Sequence, residues 1–413
     1  MTATSAMLTR FLRYIALDTR ANGAAAAAPS SPGQMELARL LADELRGIGV
    51  ADVRVDEHAY LTARLPGNGA AAEAPTIGLI AHLDTATEYP GGCANPRIVT
   101  GYDGTPITLS GITLDPAVFP ELSGKQGKTL VITDGTTLLG GDDKAGIAVI
   151  MTVLDELTAD PARPRPPIAV AFTPDEEIGH GAALLDIPSF GADFAYTVDG
   201  DGVGTIEYEN FNAAAATVRI HGRSIHPGDA KGRMVNAILL GKAFLDGLPA
   251  DERPETTEGR QGFYHVDSFS GTVAEARIDL LVRDHDGSAF AAKKKFLEKL
   301  AARLNAGIGG EPRIAVEIRD QYRNMVERIR PHMHIVGTAK RAMRALGVEP
   351  VEHPIRGGTD GAQLSWRGLP CPNLFDGSYN MHGPFEYVVV EEMRLAVDTI
   401  HGILAAYAEG KKD

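Results

Sequence analysis

Gly140-Gly141-Asp142-Asp143-Lys144-Ala145-Gly146 is the stretch on which the reading of this chain turns. The apolar run Thr129–Thr133 precedes it and reads as a strand. A helix follows from about Lys144 to Leu157, with Ile147, Ile150, Met151 and Leu154 on one face. A paired-glycine turn thus carries two carboxylates to a helix N-terminus, with a lysine beside them. A single Asp there can be no more than a cap for free N–H groups. Three further strand ends that finish in metal-ligand residue types argue for more.

The first is Thr76–Asp84, an almost unbroken apolar run of the kind that is buried on both faces of a sheet. His82 and Asp84 end it two residues apart and so share a face. An imidazole that binds a metal usually gives its other N–H to a carboxylate, which suits His82 as ligand and Asp84 as its orienter. A plain His–Asp hydrogen bond fits the same spacing. The second is Pro167–Phe172, which runs into Thr173-Pro174-Asp175-Glu176-Glu177. Adjacent glutamates can divide the work, one binding metal and the other moving protons, although acids also favour the first turn of any helix. The third is Phe194–Val198, ending at Asp199. Sites in open α/β sheets form beyond the carboxyl ends of the strands, so the set is far more specific than any member.

The rest of the chain arranges itself around that set. At 413 residues it calls for two domains or more. Met1–Arg20 reads as an amphipathic helix, not a leader peptide, and Met35–Ile48 as another helix, with a flexible, alanine-rich surface loop (Asn22–Gly33) between them. After Asn210 the pattern becomes β-α-β-β-α-β: strands at Ala215–His221, Gly262–Phe269, Thr272–Arg283 and Arg313–Arg319, helices at Met234–Leu248 and Ser288–Ala306. That is the split, ferredoxin-like order. It predicts a domain over 213–320 inserted into a discontinuous one formed by 1–212 and 321–413, with hinges near Asn212 and Gln321. His226 sits on a turn of the insert. The chain then returns through a helix at His334–Leu346, the glycine-rich turn Pro354–Gly361 with Arg356, a strand within Leu369–Phe375, the polar loop of His382 and a closing helix at Val388–Glu409. An arginine on such a turn suits a carboxylate or phosphate, or a surface ion pair.

Composition narrows the partners. A net charge of −14 argues against nucleic acid and anionic lipid. No run approaches the roughly 18 apolar residues of a membrane span. Cys93 and Cys371 are too few for a disulfide framework and point to a cytoplasmic protein.

As an ordered group, His82-Leu83-Asp84, Gly141–Gly146, Phe172–Glu177, Val198-Asp199-Gly200, the Ile355–Gly361 turn and Asn380-Met381-His382-Gly383 resemble the peptidase T family of co-catalytic di-zinc metallopeptidases. Gly204–Asn212 and Glu258–His265 narrow the likeness to that branch. The resemblance spans nearly the whole chain. It implies an α/β fold, a zinc-peptidase-like mixed sheet flanked by helices, with the inserted ferredoxin-like α+β domain as a lid that can also pair two copies into a homodimer.

It further implies a tripeptide aminopeptidase that binds two Zn²⁺ per subunit, with Mn or Co as substitutes. One zinc would be held by His82, Asp142 and Asp199, the other by Asp142, Glu177 and His382. Glu176 would be the general base, Asp84 the orienter of His82, and His226 a stabiliser of the oxyanion. Arg356, assisted by Arg283, would hold the carboxylate of a short peptide. A carboxypeptidase or an N-acyl amino acid deacylase needs the same metals and base. A silent binding homologue would lack a ligand or the base, and none is missing. Relative to the family pattern, Asp201 replaces a glycine and either meets a substrate amine or faces solvent, and Met381 and Pro384-Phe385 alter the flanks of His382.

Overall fold

The computed structural model describes residues 3–308 and 313–410. They form two compact units. The first takes in the chain up to Tyr208, Glu327–His353 and the chain from Thr359 onward; the second is Glu209–Val326 with Pro354–Gly358. The crossings therefore fall at 208/209 and 326/327, a few residues outside the expected 212/213 and 320/321. The turn that carries Arg356 goes with the second unit and not, as expected, with the first. There the Ile355 N–H donates to the Glu209 carbonyl at 2.9 Å.

The first unit is built on an eight-stranded mixed sheet. Its strands lie in the order Ala51–Val55, Leu61–Leu65, Ile168–Thr173, Ile77–His82, Phe194–Gly200, Asn373–Phe375, Thr205–Glu207 and Val351–Glu352. The central members run parallel, with His82 opposite Thr173 and Ile80 opposite Thr197. Every residue of Ile77–His82 and Ile168–Thr173 is buried, as unbroken apolar runs require. Helices Ala3–Ile15, Gly141–Ala159 and Val390–Ala408 pack together, and Gly141–Ala159 also packs against the central strands. Elsewhere in the unit Ile80, Ala169 and Ala171 share a core with Leu185, Phe190 and Leu364.

The expected strand Thr129–Thr133 forms as Leu130–Ile132, but outside the main sheet. It joins Ser378–Tyr379, Tyr387–Val389 and Arg97–Val99 in a separate antiparallel sheet. Asp142 thus reaches the site from a satellite layer, through eight residues of loop. The loop Asn22–Gly33 also departs from expectation: Pro32 already opens the next helix, as proline at a first turn can, and Ser30 is buried.

The second unit carries one four-stranded antiparallel sheet. Its order is Phe263–Gly271, Glu275–Asp284, Asn212–His221 and Ile314–Tyr322, with helices Ala237–Asp246 and Gly287–Ile308 packed on it. Their aliphatic faces close a core around Val218, Phe244, Ile278 and Leu297. The chain order is β-α-β-β-α-β.

Candidate metal centre

Three neighbouring parallel strands bring His82, Thr173 and Asp199 to one end of the main sheet. The Gly140 turn adds Asp142 from the side. Gly140 has φ of 81°, a left-handed conformation that glycine adopts without steric cost. Gly146 is needed for another reason. A Cβ there would stand 1.8 Å from the Val198 carbonyl oxygen, so the helix passes directly over the Asp199 strand. Asp142 and Asp143 have non-helical backbone angles, and regular helix begins at Lys144. The peptide bond between the two aspartates is cis.

Asp142 occupies the middle of the group. Its Oδ1 lies 2.8 Å from His82 Nε2 and its Oδ2 3.2 Å from His382 Nε2. His82 Nε2 is also 3.5 Å from Asp199 Oδ1, and His382 Nε2 is 3.1 Å from Glu177 Oε2. One carboxylate therefore faces two imidazoles, one oxygen to each, and each imidazole has a further carboxylate beside it. Glu177 Oε1 is buried with no hydrogen-bond partner among the described residues. An acceptor oxygen stranded in this way, among carboxylates and neutral-capable imidazoles, is the donor chemistry of a divalent cation site. The structure brings together the two histidines, two aspartates and one glutamate that the resemblance implies as ligands.

Asp84 meets more than His82. Its Oδ1 is 3.3 Å from His82 Nδ1, whose closer neighbour is the Asp84 carbonyl at 3.1 Å. The Asp84 carboxylate also accepts the Glu176 and Glu177 N–H groups, both at 3.0 Å. It thus ties the histidine strand to the turn that presents both glutamates. Burial pushes the Glu176 carboxyl well above its ordinary range, and the charges of Asp199, Asp360 and Asp84 add to this. For Asp142 burial acts the same way, but hydrogen bonds from His382 and His82 outweigh it and hold the group below its ordinary range.

Glu386 escaped the sequence reading, and Asp143, although noticed there, was given no role of its own. Glu386 accepts N–H groups from Leu139 and Gly140 through Oε2, at 2.8 and 2.7 Å, and from Asp142 through Oε1, at 3.0 Å. Asp143 accepts the His82 N–H at 3.0 Å. Each acts on backbone across a long sequence separation, and no local pattern announces that. Asp201 faces solvent, with 44% of its side chain exposed, and its carboxylate also lies 3.0 Å from His353 Nδ1, which is 3.4 Å from Glu207. The partner of Asp201 is thus a histidine more than a hundred residues on.

His226, Arg283 and Arg356 belong to the second unit. His226 is exposed on its turn, and its Nδ1 accepts the Gly228 N–H at 3.2 Å. Arg356 lies over the rings of Phe211 and Phe263, at 5.1 and 5.4 Å, and donates to the carbonyls of Gly259 and Gln261 and to Thr257 Oγ1. Arg283 donates to the Arg356 carbonyl at 2.9 Å, while its Nε is buried with no partner among the described residues.

Comparison with known proteins places this geometry. The profile described as peptidase family M20/M25/M40 matches residues 132–406. A curated protein named peptidase T, from Caldanaerobacter subterraneus, is 49% identical over 411 residues, covering 99% of this chain and 100% of its own. The crystal structure of aminopeptidase PepT from Bacillus cereus superposes with a TM-score of 0.76 at 23% identity, over 98% of this chain and 99% of that one. A dinuclear metal-binding M20 peptidase of Bacillus subtilis shares the fold at a TM-score of 0.65 and 15% identity, over 98% and 99% of the two chains.

Proposed function

This chain belongs to peptidase family M20/M25/M40, on its peptidase T branch, and from that premise we propose that it is a di-zinc aminopeptidase that releases the N-terminal residue of tripeptides. The observation that carries the reading is the Asp142 carboxylate, one oxygen toward His82 and the other toward His382. His82, Asp142 and Asp199 would hold one cation, and Asp142, Glu177 and His382 the second. Zinc suits nitrogen and carboxylate donors, and Mn or Co can replace it. Such a pair, when bound, supplies Lewis acidity that makes water acidic near neutral pH and polarises a carbonyl oxygen.

The chain's own residues do the rest. Glu176, held by Asp84 through its backbone N–H, takes the proton of the attacking water on its carboxylate and returns it to the leaving amine nitrogen. His226 donates a hydrogen bond to the oxygen that becomes negative. Arg356 and Arg283 take the substrate's terminal carboxylate. Both guanidiniums lie over the Phe263 ring, and Arg283 Nε has no partner among the described residues, which leaves a donor for an anion. The two cysteines are buried and unpaired, which suits a cytoplasmic enzyme, and its recovery from an extracellular fraction would exclude that location. Among the described residues no helix is long and apolar enough to cross a membrane.

The test is hydrolysis of a matched set by the zinc-loaded protein: a dipeptide, a tripeptide, a tetrapeptide, an N-acetylated tripeptide and an N-acyl amino acid. Release of the first residue from the free tripeptide, abolished by chelator and lowered at least about a hundredfold in Glu176→Gln, supports the reading. Cleavage of the blocked substrates instead would replace it by a deacylase or carboxypeptidase. Unchanged preference for tripeptide over tetrapeptide in Arg356→Ala would remove the arginine's role.

A further inference from the structure

The turn that presents Glu176 and Glu177 is held from a second side, by a part of the chain whose sequence gave no hint of a role. Asp175, which opens the turn, has φ of 59° without being glycine. Left-handed backbone is costly for a residue with a Cβ and persists where surrounding bonds over-determine it. Here they do. The Ser30 N–H donates to both Asp175 oxygens, at 3.1 and 2.9 Å, and the Ser30 hydroxyl donates to Oδ1. Gln34 pairs with Asp175 twice: its Nε2 donates to Oδ1 at 2.7 Å, and its Oε1 accepts the Asp175 N–H at 3.1 Å. Gln34 and Asp175 are almost wholly buried, at 0% and 2% exposure.

Ser30 is held in its turn. Its hydroxyl accepts the Asn22 N–H at 2.8 Å, and the helix that carries Gln34 starts two residues later, at Pro32. Gly33 fits so tightly that a Cβ would stand 1.9 Å from the Asp18 carbonyl oxygen. On the far side of the turn Asp84 accepts the N–H groups of Glu176 and Glu177. Three successive backbone N–H groups, those of residues 175, 176 and 177, are thus each given to a side chain from another part of the chain. The turn has almost no freedom left.

We propose that Gln34 and Ser30 are positioning residues for the general base: through Asp175 they fix the left-handed turn that aims Glu176. The inference rests on the assignment of Glu176 as base. Neither residue is among those assigned to hold substrate or cation. A misplacement of about 1 Å at a reacting group costs on the order of a hundredfold in rate, so loosening this turn should appear in kcat.

The experiment compares Gln34→Ala, Gln34→Glu and Ser30→Ala with the zinc-loaded wild-type enzyme on a free tripeptide. It records kcat, KM, zinc per chain and thermal midpoint. The expected result is a fall in kcat of about 10–100-fold for Gln34→Ala, with KM within about twofold and zinc content equal to wild type. Gln34→Glu is the sharper arm. It keeps the shape and the acceptor for the Asp175 N–H, but sets a carboxylate against the Asp175 carboxylate, so it should lose at least as much as the alanine. Ser30→Ala removes only the hydroxyl, should fold and should show a smaller loss of kcat alone. Wild-type kcat in Gln34→Glu, or losses that follow zinc content in all three proteins, would overturn the proposal. If Gln34→Ala does not fold, the other two decide. Glu176→Gln run beside them separates the failures: if it keeps full activity, the base assignment fails, whereas a dead Glu176→Gln with unimpaired Gln34 and Ser30 variants removes only this inference.

Discussion

Asp84 shows how much one side chain can carry in this centre. Its carboxylate serves His82 and the backbone of both glutamates, and hydrogen bonds to a charged acceptor contribute about 1.5–3 kcal/mol each. Asp84→Ala should therefore weaken zinc binding about 10–100-fold, the usual cost of losing a residue that orients a ligand. Competition against a zinc chelator of known affinity measures this, and an unchanged affinity would show that the backbone carbonyl of residue 84 suffices to orient His82. The proposed ligands and Glu176 could be picked out because each closes an apolar run or sits in a short motif, as His82, Asp142 and Glu177 do. Glu386, Gln34 and Ser30 could not. Glu386 and Gln34 accept backbone N–H groups, and Ser30 donates to a carboxylate, all more than a hundred positions away, and a polar side chain in a loop looks the same in sequence whether or not such a partner awaits it. The pairing of Asp201 with His353 was hidden for the same reason, since the two stand far apart along the chain.

At the scale of elements, strand and helix patterns read well where periodicity or unbroken apolarity was strong. Ile77–His82 and Ile168–Thr173 and the second unit's six elements formed where the patterns placed them, to within a few residues. Leu130–Ile132 formed too, but its sheet could not be foreseen: three apolar residues fit any buried strand, and their partners Tyr387–Val389 and Arg97–Val99 are distant. The packing of helices is likewise set by side chains outside any motif. Glu156, on the helix Gly141–Ala159, meets Arg394 Nη2 at 3.1 Å and His401 Nε2 at 2.8 Å on the last helix. Burial alone would raise the Glu156 carboxyl, but His401 and Arg394 hold it down, from 4.5 to about 2. A folded value below the unfolded one stabilises the native state fully above about pH 4.5, and the contribution is lost as pH falls toward 2. With part of its surface in solvent, Glu156 should contribute about 1–2 kcal/mol. Urea unfolding of Glu156→Gln against wild type should show that gap at pH 7 and its closure near pH 2–3. A gap that does not change with pH would show that the charge plays no part.

For the molecule as a whole, the fold and its order of elements were open to the sequence, while the exact crossings between units were not. Arg356 went to the second unit because Ile355 bonds Glu209 and the guanidinium is taken up by the 257–261 loop, contacts that no local pattern encodes. The proposal that a single carboxylate at the strand ends serves two cations is the claim on which the account depends. Equilibrium dialysis of the metal-free protein against zinc, with bound metal counted per chain, tests it most directly. The account predicts two zinc ions for wild type, one strongly bound ion each for Asp199→Ala and Glu177→Ala, and the weakening of both sites in Asp142→Ala. A single ion in the wild-type protein, or two tightly held ions in Asp142→Ala, would contradict it.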